Sequence, residues 1–128
     1  MGIPLLGICY GMQWLADVMG GVVGNSKDKK EYGRIEISYS ESKTPLFAGI
    51  SGRKIAWASH GDSLEAPPRG FTVLAESGNG RTIAAIGNEM KRMWGIQFHP
   101  EVTHTENGRE ILENFLSGIS GCRRDWLP

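Results

Sequence analysis

Three side chains of this 128-residue sequence have the types needed for nucleophilic catalysis: Cys9, His99 and Glu101. A cysteine thiol attacks a carbonyl carbon once a base has taken its proton, and histidine is the most common base. A carboxylate bonded to the second imidazole nitrogen would fix the tautomer of that histidine. Glu101 follows His99 by two residues, so both side chains point the same way on an extended chain. The three residues therefore form a candidate cysteine triad.

The residues around Cys9 predict a sharp turn from a strand into a helix. The apolar run 3–8 has the near-continuous hydrophobicity of a parallel strand covered on both faces. Apolar residues at helical spacing follow it, at Met12, Leu15, Ala16 and Met19. Cys9 thus lies in a Gly-x-Cys-x-Gly frame, a thiol version of the nucleophile elbow, in which two glycines relieve backbone crowding. Free N–H groups at the helix start are expected to lower the thiol pKa and to hold an oxyanion.

Hydrophobic patterns predict five further strands and a final helix from about 107 to 116. The strands are expected at 34–39, 54–58, 71–76, 82–86 and 93–98, with a hairpin between the third and fourth of these. The pattern indicates one α/β domain with a partly parallel mixed sheet flanked by helices. Because sites form at the carboxyl ends of strands, Cys9, the polar turn 59–62 and His99 with Glu101 are expected to converge.

Composition narrows the function classes. Fourteen basic and fourteen acidic residues give a formal net charge of zero, which argues against a nucleic-acid or anionic-membrane surface. Two cysteines and no basic segment before the first apolar run favour a reducing, cytoplasmic location. A buried strand that opens the chain is unusual, so we expect that preceding strands and helices are missing, or are supplied by other strands of this chain or by a partner.

Each candidate residue also has a structural alternative. Cys9 could be a buried structural cysteine, His99 a satisfied histidine and Glu101 a surface carboxylate. Their combination at strand ends favours catalysis over three independent structural roles. His60 could be a second base, but we favour a turn whose backbone groups face the ligand. Cys122, beyond the last helix, receives no catalytic role.

Several segments resemble class I, triad-type glutamine amidotransferases: GICYGMQ at 7–13, SHGD at 59–62 and GIQFHPEVTHT at 95–105. Other segments narrow the resemblance to the glutaminase domains of GMP synthases, namely EYG at 31–33, PLFAG at 45–49, GREILENF at 108–115 and the GC-x-x-DW tail. The resemblance implies a flavodoxin-like fold and hydrolysis of L-glutamine to glutamate and ammonia. A separate ATP-pyrophosphatase domain or subunit would use the ammonia to aminate XMP to GMP in purine nucleotide biosynthesis.

The resemblance also implies the catalytic roles. Cys9 would be the nucleophile, His99 the acid and base, and Glu101 the residue that orients His99. The backbone N–H of Tyr10 would donate one hydrogen bond to the oxyanion.

Substrate contacts follow from the same resemblance. Gln13 would bind glutamine through its side chain. Ser59, His60 and Gly61 would hold the α-amino and α-carboxylate groups, largely through the backbone. Asp62 would face the synthetase domain. No cofactor or metal is expected in this domain, and ATP and Mg²⁺ are expected only in the synthetase domain.

The family also has segments without a counterpart in this sequence, including a glycine-rich loop before the elbow that supplies a second oxyanion donor. We therefore expect residues 1–128 to be a single partial domain, with 122–128 as the start of a linker. Losing one oxyanion donor typically lowers the rate about 10²–10³-fold. Weak or absent glutaminase activity is expected for the chain alone.

Three alternatives remain open at this point. The chain could serve another amidotransferase, for anthranilate, aminodeoxychorismate or CTP synthesis. It could be a different cysteine hydrolase that acts on a peptide or ester. It could also be a catalytically dead, truncated or regulatory module, although the complete candidate triad argues against long-standing inactivity.

Overall fold

The computed structural model describes residues 3–25, 29–40, 44–78 and 82–121. These ranges form eight strands, two α-helices, one 3₁₀ turn and one π-helical segment. In chain order they are β1 (Leu5–Ile8), α1 (Tyr10–Val18), β2 (Val22–Gly24), β3 (Glu31–Tyr39), the 3₁₀ turn (Pro45–Phe47), β4 (Gly52–His60), β5 (Ser63–Ala66), β6 (Thr72–Ser77), β7 (Thr82–Asn88), β8 (Met93–Ile96), α2 (Gly108–Glu113) and the π-helical segment (Asn114–Ile119).

Six strands form one mixed sheet in the order β1-β8-β7-β6-β3-β4. β1 and β8 run parallel with Ile8 opposite Ile96, and the other neighbouring strands are antiparallel. A separate antiparallel pair joins β2 to β5. The predicted α/β class, with a partly parallel mixed sheet flanked by helices, is confirmed.

β1 is less covered than its composition predicted. Leu5 is 38% exposed and Ile3, just before the strand, is 89% exposed. Among the described strands, β1 pairs with β8 alone and so lies at an edge of the sheet. The prediction of a strand buried on both faces is therefore wrong for the described part of the chain, although the predicted parallel pairing is present.

The loop after β8 covers the outer edge of β4. The His99 N–H donates to the Trp57 carbonyl at 2.8 Å, and the Trp57 N–H donates to Thr105 Oγ1 at 2.9 Å. Two more hydrogen bonds join Ile55 and Glu106. The Glu106 N–H donates to the Ile55 carbonyl at 2.8 Å, and the Ile55 N–H donates to the Glu106 carboxylate at 3.0 Å. These bonds satisfy edge groups that would otherwise be open to pairing. They also curl the sheet, since the chain leaving β8 now lies against β4.

The core has two parts on opposite faces of the sheet. Neighbouring residues on a strand point to opposite faces, and on β7 Ala85 belongs to one cluster and Ile86 to the other. The first cluster packs the 3₁₀ turn and α2 against the sheet through Leu46, Phe47, Phe98 and Ile111. The second packs α1 through Met12, Leu15 and Ala16. The helical stripe predicted after Cys9 is thus the buried face of α1.

Some elements differ from the predictions. β2 and β5 were not predicted, and β4 continues through Ser59 and His60, where a polar turn was expected. His60 lies opposite Glu31 in the β3–β4 register, so pairing with β3 outweighs the local polar signal. The final helix widens into a π-helical segment after Glu113. The predicted linker, 122–128 with Cys122, lies outside the described residues. No helix in the described ranges is long and apolar enough to cross a membrane.

Candidate active site

Cys9 occupies a strained turn between β1 and α1. Its φ of 56° and ψ of −111° lie outside the regions that side-chain-bearing residues ordinarily adopt. The Cys9 N–H donates to the carbonyl of Ile96 at 2.8 Å, which ties the turn to the end of β8. Such strain persists only where the surroundings enforce it, and it concentrates at functional sites. The predicted strand-to-helix elbow is present.

Only one of the two flanking glycines relieves crowding in the described structure. A Cβ on Gly7 would lie 2.6 Å from the Gly11 carbonyl oxygen and 2.8 Å from the Met12 nitrogen. A Cβ on Gly11 would have no heavy atom of another described element within 4 Å, apart from its chain neighbours and the backbone of α1 itself. The expectation that both glycines relieve crowding is therefore wrong for Gly11. The close approach is between the Cα of Gly7, where a side chain would clash, and the backbone of Gly11.

The two glycines should consequently respond in opposite directions to substitution by alanine. Gly7→Ala is expected to lower the free energy of unfolding by about 1–3 kcal/mol, because helix backbone must move away from the strand. Gly11→Ala lies within α1 and is expected to raise it by up to about 1 kcal/mol, since alanine is the better helix former. Urea unfolding followed by circular dichroism measures both. Equal destabilisation by the two variants would contradict the assignment.

The Cys9 sulfur lies in a closed polar environment. The residue is 3% exposed; its thiol donates to the Ser59 carbonyl at 3.6 Å, and the Gln97 side-chain amide donates to the sulfur at 3.7 Å. Burial raises the pKa of the Cys9 thiol above its ordinary value. The Tyr10 N–H and the Gln97 amide act against that rise, and the Glu101 charge adds to it. The expectation of a lowered thiol pKa is wrong in this structure, because the rise caused by desolvation is larger than the lowering by the N–H group at the helix start.

His99 and Glu101 form a directly bonded pair. His99 Nδ1 lies 2.9 Å from a carboxylate oxygen of Glu101. A carboxylate only accepts, so Nδ1 carries the proton and the lone pair of a neutral His99 is on Nε2. Thr105 Oγ1 donates to the His99 carbonyl at 2.6 Å while accepting from Trp57. This buried threonine, which the sequence analysis did not single out, fixes the His99 turn against β4.

Cys9 and His99 lie against the same stretch of β4. The Cys9 sulfur contacts the Ser59 carbonyl, and the His99 N–H contacts the Trp57 carbonyl. Carbonyls two residues apart on a strand point the same way and are roughly 6.5 Å apart. The thiol and the backbone of the His99–Glu101 pair are thus held side by side, as the predicted convergence requires.

The other predicted site residues surround the bend 60–62. Gln13 is buried, and its amide nitrogen donates to the Asp62 carbonyl at 2.8 Å and to Gln97 Oε1 at 2.9 Å. The fully buried His60 ring contacts the Asp62 carbonyl through Nδ1 and Glu31 through Nε2, each at 2.8 Å. His60 is therefore placed as a structural histidine and not as a second base. Ser59 is exposed at the end of β4, and Gly61 is half-buried in the bend.

Gln97 and Glu31 are site residues that the sequence analysis missed. Gln97 contacts the Cys9 sulfur, and Glu31 accepts from His60 and from Ser77 Oγ at 2.7 Å. A signal for Gln97 was available, since a glutamine ending an apolar strand pattern must find a buried partner. Glu31 gave no such signal, because it stands beside a charged surface segment in sequence.

The sequence profile of the class-I glutamine amidotransferases matches residues 1–119. The chain is 47% identical over 126 residues to the glutamine-hydrolysing GMP synthase of Symbiobacterium thermophilum, and 48% identical over 127 residues to that of Thermus thermophilus. These alignments cover 98% and 99% of this chain but 24% of each relative. The chain thus spans about a quarter of the length of the curated relatives it matches.

Solved structures agree with this match. The crystal structure of a protein from Thermoplasma acidophilum, described as one subunit of a GMP synthase, superposes with a TM-score of 0.85 at 33% identity, covering 92% of this chain and 57% of that one. A glutamine amidotransferase from Thermotoga maritima superposes with a TM-score of 0.70 at 28% identity, covering 91% and 46%. A profile match over most of the chain, a strained elbow cysteine and a bonded His99–Glu101 pair agree: the chain belongs to the class-I glutamine amidotransferase family.

Proposed function

We propose that this chain is the glutaminase part of a GMP synthase and hydrolyses L-glutamine to glutamate and ammonia. The observation that carries the proposal is the buried Cys9 at a strained elbow, held beside the bonded His99–Glu101 pair. The names of the relatives support the GMP synthase branch, although the chain spans only about a quarter of each. A cytoplasmic location belongs to the same proposal.

The proposed chemistry begins at the sulfur. His99 Nε2 takes the Cys9 proton, and the thiolate attacks the side-chain carboxamide carbon of glutamine. The negative charge that develops on the carboxamide oxygen faces the Tyr10 N–H, which already points toward the sulfur. Collapse of this adduct breaks the C–N bond, and His99 returns its proton to the departing ammonia. The product on the protein is a Cys9 thioester.

Water completes the cycle. Neutral His99 takes a proton from a water molecule, whose oxygen attacks the thioester carbon. The C–S bond breaks, glutamate leaves, and the proton on His99 returns to the Cys9 sulfur. Glu101 accepts the Nδ1–H bond throughout, so that Nε2 always faces the reaction.

Substrate binding in this proposal uses backbone groups and one side-chain oxygen. The His60 ring is fully buried and both of its nitrogens are occupied, so its contribution must come from the main chain. Ser59 and Gly61 flank it at the bend and would hold the α-amino and α-carboxylate groups with it. The amide nitrogen of Gln13 is already committed, which leaves its Oε1 for the substrate.

The proposal includes a synthetase partner. An ATP-pyrophosphatase domain or subunit would take the ammonia and aminate XMP, and ATP with Mg²⁺ would bind there. Asp62 would contribute to the contact. Its carboxylate receives a 2.9 Å hydrogen bond from the exposed Asn25 amide, which presents both residues at one surface.

Release of glutamate from L-glutamine by the purified chain tests the proposal. We expect slow release that disappears in Cys9→Ala, and stoichiometric labelling of Cys9 by a chloroketone analogue of glutamine. Excess L-glutamine should slow the labelling, whereas a peptide or simple ester should not. Labelling that glutamine does not slow would contradict the proposed substrate. Preferential turnover of a peptide or ester would favour the alternative hydrolase.

A further inference from the structure

The orientation of two buried side-chain amides is determined by one backbone carbonyl. The Asp62 carbonyl can only accept, so the Gln13 atom that faces it at 2.8 Å must be the amide nitrogen. That nitrogen donates its other proton to Gln97, which must therefore present Oε1 to it, at 2.9 Å. The remaining end of the Gln97 amide is its NH₂ group, which lies 3.7 Å from the Cys9 sulfur.

We propose that Gln97 is a catalytic residue of this site, whose side-chain N–H stabilises the Cys9 thiolate, and that Gln13 is a positioning residue that holds the Gln97 amide in its donating orientation. The role rests on Cys9 acting as the nucleophile proposed above. It assigns to the strand-end glutamine a function separate from substrate binding.

The two protonation states of Cys9 use different partners. The neutral thiol donates to the Ser59 carbonyl, an acceptor that a thiolate would repel. The thiolate is favoured by donors, and among the described residues the Gln97 amide and the Tyr10 N–H donate to the sulfur. Gln97 is 1% exposed, so water does not weaken its bond. When the Cys9 thiol loses its proton to His99, the favourable hydrogen-bond partner of the sulfur therefore changes from the Ser59 carbonyl to the Gln97 amide.

The native charged and titratable groups around the sulfur must stay unchanged in every variant tested. They are Glu31 at the start of β3, His60 and Asp62 at the end of β4, and His99 and Glu101 after β8. Of these, Glu101 acts on the Cys9 charge. The bond between Gln97 and Cys9 involves none of them directly. Substitution of Gln97 by methionine leaves these groups in place; it removes the donor to the sulfur and, with it, the Oε1 that accepts from Gln13.

The pH profile of Cys9 alkylation by iodoacetamide, in a Cys122→Ser background, measures the thiolate directly. For Gln97→Met we expect the midpoint to rise by about one pH unit, the loss of one hydrogen bond to a charged group. For Gln97→Glu, which keeps the acceptor for Gln13 but replaces the donor with a carboxylate, the rise should be larger, because a negative charge is added where the donor is lost. Gln13→Met should give a smaller rise, because Gln97 then loses its orienting partner but keeps its donor.

A measurement on the unsubstituted side chains keeps the proposal testable if a variant fails to fold. The sequence contains two glutamines, and both belong to this pair. Selective ¹⁵N-glutamine labelling should show the Gln97 amide shifting with pH at the alkylation midpoint, and Cys9→Ala should abolish that shift. Either of two results would overturn the proposal. One is a Gln97 amide signal that does not shift when Cys9 ionises, and the other is an unchanged alkylation midpoint in a folded Gln97→Met.

The outcomes separate this inference from the proposed function. A midpoint that rises in Gln97→Met, in a chain that does not turn over or bind glutamine, would reject the function and support the role of Gln97. An unchanged midpoint with Cys9-dependent glutamate release would reject the role of Gln97 alone.

Discussion

Replacing His99 with asparagine is expected to slow glutamate release about 10²–10⁴-fold at neutral pH, the usual contribution of a general base. Burial raises the pKa of the Cys9 thiol, so the thiol is protonated at neutral pH and requires a base. The deficit should shrink as the pH rises toward that raised pKa, because thiolate then forms without His99. Initial rates of glutamate release across pH measure the effect, and chloroketone labelling reports the first step where turnover is slow.

The matched control is His104→Asn. His104 lies on the same loop, is exposed, and stacks on Trp57 with ring centroids 5.3 Å apart. It makes no described hydrogen bond to Cys9 or Glu101, so its loss should leave the rate within about threefold. The rate of glutamate release in Glu101→Gln should lie between the rates of His99→Asn and His104→Asn, because the amide can turn its nitrogen toward His99 Nδ1 and favour the wrong tautomer. A pH-independent deficit in His99→Asn would contradict the role of His99 as base.

The elbow was predictable from sequence because its signals are local. An apolar strand, a glycine frame and a helical stripe lie within 3–19, and each needs only its neighbours to be interpreted. The contact between His99 and Glu101 was predictable because the two residues are close in sequence, although Pro100 and Glu101 lie in a turn and not on the extended chain that was expected. β2 and β5 were not, because strands of three and four residues carry too little periodicity.

The surroundings of the triad depended on contacts distant in sequence. Gln97 reaches Gln13 and Cys9 across more than 80 residues, and no local pattern contains that pairing. The direction of the Cys9 pKa shift was predicted wrongly for the same reason. The helix start is visible in the sequence, but burial outweighs it, and the contacts of the sulfur with Ser59 of β4 and with Gln97 after β8 are distant in sequence.

Substitution of Glu31 is expected to have the largest effect on stability, and its size depends on the replacement. The His60 ring is fully buried, and Nδ1 faces a carbonyl, so Nδ1 carries a proton. One further proton lies between Nε2 and the Glu31 carboxylate, which also accepts from Ser77. Glu31→Ala removes both acceptors and takes away the partners of His60 Nε2 and Ser77 Oγ, while His60 Nδ1 keeps its contact with the Asp62 carbonyl. Breaking such a buried pair typically costs about 3–5 kcal/mol.

Glu31→Gln is the matched variant, because its amide can preserve both of these contacts. The amide nitrogen would donate to the lone pair of a neutral His60 Nε2, and the amide oxygen would accept from Ser77. We expect a loss of about 1 kcal/mol or less, since no buried group is left unpaired. Urea unfolding of both variants at pH 7 gives the comparison. Equal destabilisation by alanine and glutamine would contradict the assignment, because hydrogen bonding at this position would then not set the stability.

The same pair of variants connects this buried histidine to the site. The His60–Asp62 bond positions the carbonyl that orients Gln13. A folded Glu31→Ala should therefore lose the protection of Cys9 labelling by glutamine, whereas Glu31→Gln should keep it. Protection that survives in Glu31→Ala would show that the bend 60–62 holds its shape without the Glu31 carboxylate.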